Sequence, residues 1–297
     1  MNILLNFKEI FKSFERKKID TIIALLPLTL FGFILFGIKA ILICLVCVAA
    51  TSLFDYLSNM IQKNENVDYS KSIIGGMLLG LILPPTLPLY IVVLGCAFSV
   101  FVIKLFFCSK DGYIISPALT TRIFLQISFP NQMSQFLNPM TDISASATPL
   151  TNNIYNFKEV SFGIICGSIG ETASVLIVLC GLYLIWTKVI SFEIPLTILL
   201  SALISIFAFG DRSFVSLLLG GLLFASIFLC TEDICLPRSR FGKIVYGTGC
   251  GIITIIIRQF GNTPEGICYA VVFMSLIIPL INKIKFSFKK EKKVNED

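Results

Sequence analysis

The chain has 297 residues, 56% hydrophobic and 14% charged, with a formal net charge of +6 and no histidine. Soluble domains carry about 25% charged residues, and here the apolar residues gather into runs near the roughly 20 that cross a bilayer core. A soluble class is excluded, as is any site needing His as base, haem ligand or zinc ligand. The expected fold class is an all-α polytopic membrane protein, because helices satisfy their own backbone hydrogen bonds in lipid. The basic residues lie at the edges of the apolar runs, so the positive charge reads as membrane topology rather than nucleic-acid binding.

Residues 1–19 are amphipathic and basic, through Lys8, Lys12, Arg16, Lys17 and Lys18. No small-residue cleavage site follows the first apolar run, which predicts an uncleaved first helix. Ten spans are expected, at about 20–37, 40–58, 72–84, 88–107, 117–129, 160–187, 190–208, 213–230, 242–259 and 265–283. The third and fifth are short. Pro84-Pro85 and Pro88 end the third, and Ser116-Pro117 opens the fifth; such interrupted spans often mark a binding site. Residues 20–283 thus form the membrane domain and 284–297 a basic tail. The run Lys283 to Lys293 suits anchoring to anionic membrane lipid, or docking of a soluble partner protein.

With the N-terminus inside, 19 of the 24 Lys and Arg fall on the cytoplasmic side. The positive-inside rule then predicts a multi-pass protein of the cell membrane with both termini cytoplasmic. The loop of about 130–159 is exported, and its charges are Asp142, Lys158 and Glu159. Gly75-Gly76-Met77-Leu78-Leu79-Gly80 is echoed by Gly220-Gly221-Leu222-Leu223-Phe224-Ala225. Five spans separate the copies, which predicts two inverted five-helix repeats with a site at their interface. Small-residue pairs also serve close helix packing.

Of the ten cysteines, Cys44 and Cys47 have CxxC spacing but lie mid-span with no second pair, so packing is the expected role. No metal site is expected. The intramembrane acids are candidates for an ion pathway: Asp55 near the end of span two, Glu171 between Gly170 and Thr172, and Glu232 with Asp233 after span eight. Charges at bilayer depth are costly and usually paired or functional. Glu171 leads, since its small neighbours admit a second backbone; Glu232 and Asp233 also fit as plain helix-end charges. In the exported loop, Thr148 offers a hydroxyl able to form a phosphoester, preceded by the small Ala145, Ser146 and Ala147 and followed by Pro149, which disfavours helix just before it. By pattern alone, such a loop is more often simply a loop.

Several stretches resemble the RnfD/NqrB family, membrane components of ion-pumping Rnf and sodium-translocating NADH:quinone oxidoreductase complexes. They are Ser72 to Pro85 with Pro88, Ser116-Pro117-Ala118 with Ile127 to Pro130, Asp142 to Leu150, Gly167 to Thr172 with Gly181, Gly220 to Phe224, and Ile257 to Gly261 with Pro264-Glu265-Gly266. The likeness covers nearly the whole chain. It implies a urea-transporter-like fold and covalent FMN on the acceptor Thr148, attached by a flavin transferase. The family's flavinylation motif runs Asp, two variable residues, Ser or Thr, Gly, Ala, then Thr or Ser. It is met at Asp142, Ala147 and Thr148, and departed from at Ala145 and Ser146. Relatives that bind riboflavin noncovalently use two asparagines where this chain has Tyr113 and Ser116. Tyr113 can stack on an isoalloxazine ring, but the paired amides are gone, which disfavours riboflavin here.

Lys104 and Arg258 end equivalent spans in the two halves. They can pair with carboxylates or stabilise a reduced flavin, although anchoring helix ends is the plainer role. The resemblance implies the RnfD component of an Rnf-type complex that moves electrons between ferredoxin and NAD while translocating Na+ or H+. The chain would be one component of an oxidoreductase, not catalytic alone, with the other components of the complex as partners. Two alternatives carry other expectations: a channel or solute carrier of this fold without flavin, and a divergent component of another extracytoplasmic flavin electron-transfer system.

Overall fold

The computed structural model describes residues 2–62, 69–109, 112–139, 144–145, 157–209, 217–218, 221–231, 236–237, 239–261 and 265–294. They are overwhelmingly helical. Helix α1 (Asn2–Phe36) runs unbroken from the basic N-terminus into its apolar stretch. It reverses at Gly37, whose φ of 71° favours glycine, into α2 (Ile38–Gln62). Next come α3 (Tyr69–Ile82) and α4 (Leu89–Phe107), which contains a π-helical stretch at Ser99–Lys104. Helix α5 (Pro117–Ser128) follows, then the short α6 (Pro130–Met133) and α7 (Phe157–Phe162). Helices α8 (Ser174–Trp186) and α9 (Glu193–Phe209) are apolar. The next helical segment, α10, joins Leu222–Phe224 to a π-helical stretch, Ala225–Leu229. The last two helices are α11 (Arg240–Phe260) and α12 (Gly266–Val294).

Among the described residues, five helical stretches are long and apolar enough to cross a membrane: Arg16–Phe36, Ile38–Gln62, Leu89–Phe107, Arg240–Phe260 and Gly266–Lys283. The protein is therefore a polytopic all-α membrane protein. Helices α3, α5 and α8 have 14, 12 and 13 residues. At 1.5 Å per residue they reach about 18–21 Å, short of a hydrocarbon core of roughly 30 Å.

The sixth expected span, 160–187, is corrected by the structure. Helix stops at Phe162 and resumes only at Ser174. Between them, Gly163 takes a φ of 78°, and the chain runs without helix to Ala173. Within the expected eighth span, the described residues 217, 218 and 221 lie outside α-helix, and α-helix is found from Leu222.

Small residues set the closest helix contacts, as expected where lipid supplies no hydrophobic drive between helices. Gly80 of α3 lies against the Cys44 backbone of α2, where an added Cβ would fall 3.0 Å from Cα. Gly251 of α11 faces the α9 backbone, where a Cβ would meet the Ile198 carbonyl oxygen at 2.5 Å and the Ala202 nitrogen at 2.9 Å. Backbone cannot rotate away, so Gly251→Ala must part the helices. Overpacking of this kind costs about 1–3 kcal/mol, and a lowered thermal midpoint of the purified variant would register it. An unchanged midpoint would mean that α9 and α11 do not approach this closely. Cys44 and Cys47 are buried and unbridged against these helices, as the packing role requires.

Two short hairpins flank the helices. Cys108–Ser109 (β1) pairs antiparallel with Gly112–Tyr113 (β2), and Phe136–Leu137 (β3) pairs antiparallel with Ser144–Ala145 (β4).

Candidate functional site

The non-helical segment from Gly163 to Ala173 is buried from Ser168 onward. A chain crossing an apolar interior without helix must find partners for its peptide groups. This one finds them at the end of α3, where the last turn of a helix leaves carbonyls unpaired. Ile169 donates its N–H to the Leu83 carbonyl at 3.2 Å, and Gly170 donates to Leu81 at 2.7 Å. Glycines permit the approach: a Cβ on Gly170 would lie 2.7 Å from that of Leu81, and one on Gly32 of α1 would lie 2.5 Å from the Ile169 side chain. The prolines that stop α3 and the glycines that break the sixth span thus meet at one place.

That place holds the most heavily charged buried cluster among the described residues. Arg122, on α5, is 1% exposed. Its Nε donates to Glu265 Oε2 at 2.7 Å, and one Nη2 hydrogen reaches Glu265 Oε1. Its Nη1 donates to Glu171 Oε1, while Nη2 also reaches Glu171 Oε2 at 3.4 Å and Ser168 Oγ at 2.9 Å. One planar guanidinium therefore ties together α5, the broken segment and the start of α12, using the fork geometry that distinguishes Arg from Lys. The Glu171 carboxylate also presses on Gly221, whose φ is 68° and whose added Cβ would lie 2.5 Å from Oε1. Gly221 opens α10, so the carboxylate sits at the N-terminal end of a helical segment.

A second charged site joins α2, α3 and α4. Asp55, 1% exposed, accepts from both Lys104 Nζ and Ser72 Oγ. Lys104 closes the π-helical stretch of α4 and retains 25% exposure, so this pair keeps a route to water that Arg122 lacks. Lys104 thus pairs with a carboxylate, one of the two roles raised beside the plainer one of anchoring a helix end. Arg258, at the matching end of α11, is buried.

Of the other expected site residues, Ser116 is buried and caps α5, accepting from the Leu119 N–H at 3.4 Å. Tyr113 is buried and lines a cavity together with Lys17, Lys18 and Lys71. Asp142, Ser146, Ala147 and Thr148 lie outside the described residues, as do Glu232 and Asp233. The described backbone reaches Ser144–Ala145, which is extended and paired with Phe136–Leu137. Sequence reasoning singled out Glu171 but missed its partners. Arg122 was the available signal, as a basic residue near the middle of the expected fifth span.

Comparison with known proteins follows the same residues. The model of the NQR2, RnfD, RnfE family matches residues 9–289, a range that contains both charged sites. The chain belongs to the NQR2, RnfD, RnfE family. It is 32% identical over 275 residues to the D component of the Na(+)-translocating ferredoxin:NAD(+) oxidoreductase complex of Acetobacterium woodii, covering 89% of this chain and 86% of that one. It is 30% identical over 287 residues to the D component of the proton-translocating ferredoxin:NAD(+) oxidoreductase complex of Clostridium ljungdahlii, covering 88% and 87%. The B component of the Na(+)-translocating NADH-quinone reductase of Stutzerimonas stutzeri is 33% identical over 230 residues, covering 69% of this chain and 57% of that one. Family members are thus membrane components of ion-translocating oxidoreductases.

Proposed function

We propose that this chain is the RnfD component of an Rnf-type complex, carrying FMN through a phosphoester on Thr148 and helping to couple electron transfer between ferredoxin and NAD to Na+ or H+ movement. The observation that carries the reading is family membership over residues 9–289 together with Asp142, Ala147 and Thr148 at the flavinylation spacing. The extended backbone at Ser144–Ala145, just ahead of the acceptor, supports a stretch that a flavin transferase can engage. The isoalloxazine would supply the redox chemistry; Thr148 Oγ would hold its phosphate. Riboflavin at Tyr113 and Ser116 is disfavoured, because these residues lack the paired amides of the relatives that bind it.

The fold in this proposal has ten spans in two inverted five-helix halves, urea-transporter-like, in the cell membrane with both termini cytoplasmic. Supporting it, one glycine pair lies within α3 and the other immediately precedes α10, and Lys104 and Arg258 lie near the ends of corresponding helices.

Ion coupling is assigned to Glu171, with Asp55, Glu232 and Asp233 along the route. Glu171 and Glu265 share one guanidinium, so with all three ionised the group carries one excess negative charge, which a proton or Na+ can neutralise. Beside Glu171, Thr172 Oγ1 is buried with no hydrogen-bond partner among the described residues, as suits a path for a transient occupant. Glu171→Gln keeps the shape and the Arg122 contact but removes a charge. Ion transport by reconstituted complex should fall while covalent flavin content stays at the parental level. Parental transport in the variant would remove Glu171 from the route.

A further inference from the structure

A dehydrated Na+ and a proton make different demands on a buried site. The cation needs several oxygens to replace its hydration shell, supplied in broken-helix transporters by unwound backbone carbonyls. A proton needs one lone pair. Around the segment that carries Glu171, the carbonyls already accept N–H groups. Leu83 and Leu81 accept from Ile169 and Gly170, Ser168 accepts from Glu171 at 3.2 Å, and Thr172 accepts from Ser174 at 3.1 Å. The carboxylates are held likewise. Both Glu265 oxygens accept from Arg122, through Nε and Nη2, and Glu171 Oε1 accepts from Nη1. A Na+ among these oxygens would face N–H hydrogens and a guanidinium that is 1% exposed and tied to three segments.

One oxygen differs from the rest. Glu171 Oε2 lies 3.4 Å from Arg122 Nη2. That nitrogen has two hydrogens, and both have nearer acceptors: Glu265 Oε1, and Ser168 Oγ at 2.9 Å. Oε2 is thus the carboxylate oxygen with no close N–H from Arg122. The Ser168 hydroxyl also hydrogen-bonds the Glu171 carboxyl, and a hydroxyl can accept from an acid or donate to a carboxylate. Glu171 is 9% exposed against 1% for Arg122, which makes it the more reachable member of the pair. The charged or titratable groups facing it are Arg122 from α5, Glu265 ahead of α12 and the Cys268 thiol of α12, with Arg258 of α11 beside that thiol. Helix α10 presents Gly221.

We infer that the ion handled here is a proton, bound to Glu171 Oε2 as the neutral acid while Arg122 and Glu265 stay an ionised pair. The inference rests on the coupling role proposed for Glu171 and names the ion that the site takes. A proton from water forms the O–H bond, the same bond breaks on release to water, and no electron is transferred. The three groups alternate between one excess negative charge and none, and Arg122 keeps its fork to Glu265 throughout.

Two measurements test it. In the purified full-length chain, infrared difference spectra between neutral and acidic buffer should contain the C=O band of a buried carboxylic acid. The band should vanish in Glu171→Gln, persist in Glu265→Gln, and be the same in sodium chloride and choline chloride. In vesicles holding the assembled complex, electron transfer should drive proton uptake in sodium-free buffer, and Glu171→Gln should lose it. Glu171→Asp keeps an acid on a shorter stem and should retain the band and part of the uptake. If the Asp variant loses both as completely as the Gln variant, the residue is structural and the proposal is overturned. Uptake of radioactive sodium that survives a protonophore and is lost in Glu171→Gln would keep Glu171 on the route and overturn the proton. Parental transport in Glu171→Gln would remove the route and the proton assignment together. A band that persists in Glu171→Gln, or that sodium suppresses, would overturn the assignment as well.

Discussion

Arg122→Met should cost the protein about 3–5 kcal/mol, the usual penalty for removing one partner of a buried ion pair and stranding the other. Here two carboxylates are stranded, because Glu171 and Glu265 face the same guanidinium at 9% and 8% exposure. Ser168 loses its donor as well. The cost should appear as a lower thermal midpoint and a smaller monodisperse fraction on size exclusion. Arg122→Lys should recover only part of it, since one ammonium cannot reproduce the fork to Glu265 while also reaching Glu171. Combining Arg122→Met with Glu171→Gln and Glu265→Gln removes all three charges, and stability should return toward the parent. That rescue separates stranded charge from simple loss of packing. A single Met variant as stable as the parent would show that the three groups are not joined in the folded protein.

The second large effect concerns the flavin. Thr148→Val removes the hydroxyl that would be esterified and keeps the branched shape. Covalent flavin fluorescence of the protein in a denaturing gel should fall to background, in a host that supplies the flavin transferase. Electron transfer through the assembled complex should fall with it, because a missing carrier cannot be bypassed at a comparable rate. Thr148→Ser should retain fluorescence, since a serine hydroxyl offers the same nucleophile. The departures at Ala145 and Ser146 lie next to the acceptor, and Ser146→Gly should leave modification at least as complete as in the parent. Fluorescence persisting in the Val variant would move the attachment elsewhere.

Much of this fold was legible because lipid simplifies the code. Runs such as Ile38–Gln62 and Leu89–Phe107 state their own length and state. Prolines marked the ends of α3 and the start of α5. The break at Gly163–Ala173 was not legible. Ile164, Ile165 and Ile169 keep that stretch apolar, and its peptide groups are satisfied by Leu81 and Leu83, more than 80 residues earlier in the chain. Hydropathy sees the side chains, whereas the helix was lost to a tertiary pairing of backbone. The site was half legible for the same reason. Glu171 stood out through its small neighbours, and Lys104 through its place at a helix end. Glu265, 143 positions from Arg122, looks in sequence like an ordinary first-turn acid, and only the fold brings it to the guanidinium.

An electron-carrying role for this chain depends on the chemical state of one side chain. Tandem mass spectrometry of the peptide containing Thr148, from protein matured with its flavin transferase, measures that state. A single FMN mass localised to Thr148 is the expected result. An unmodified threonine at full sequence coverage, with the transferase active on another substrate in the same cells, would contradict it.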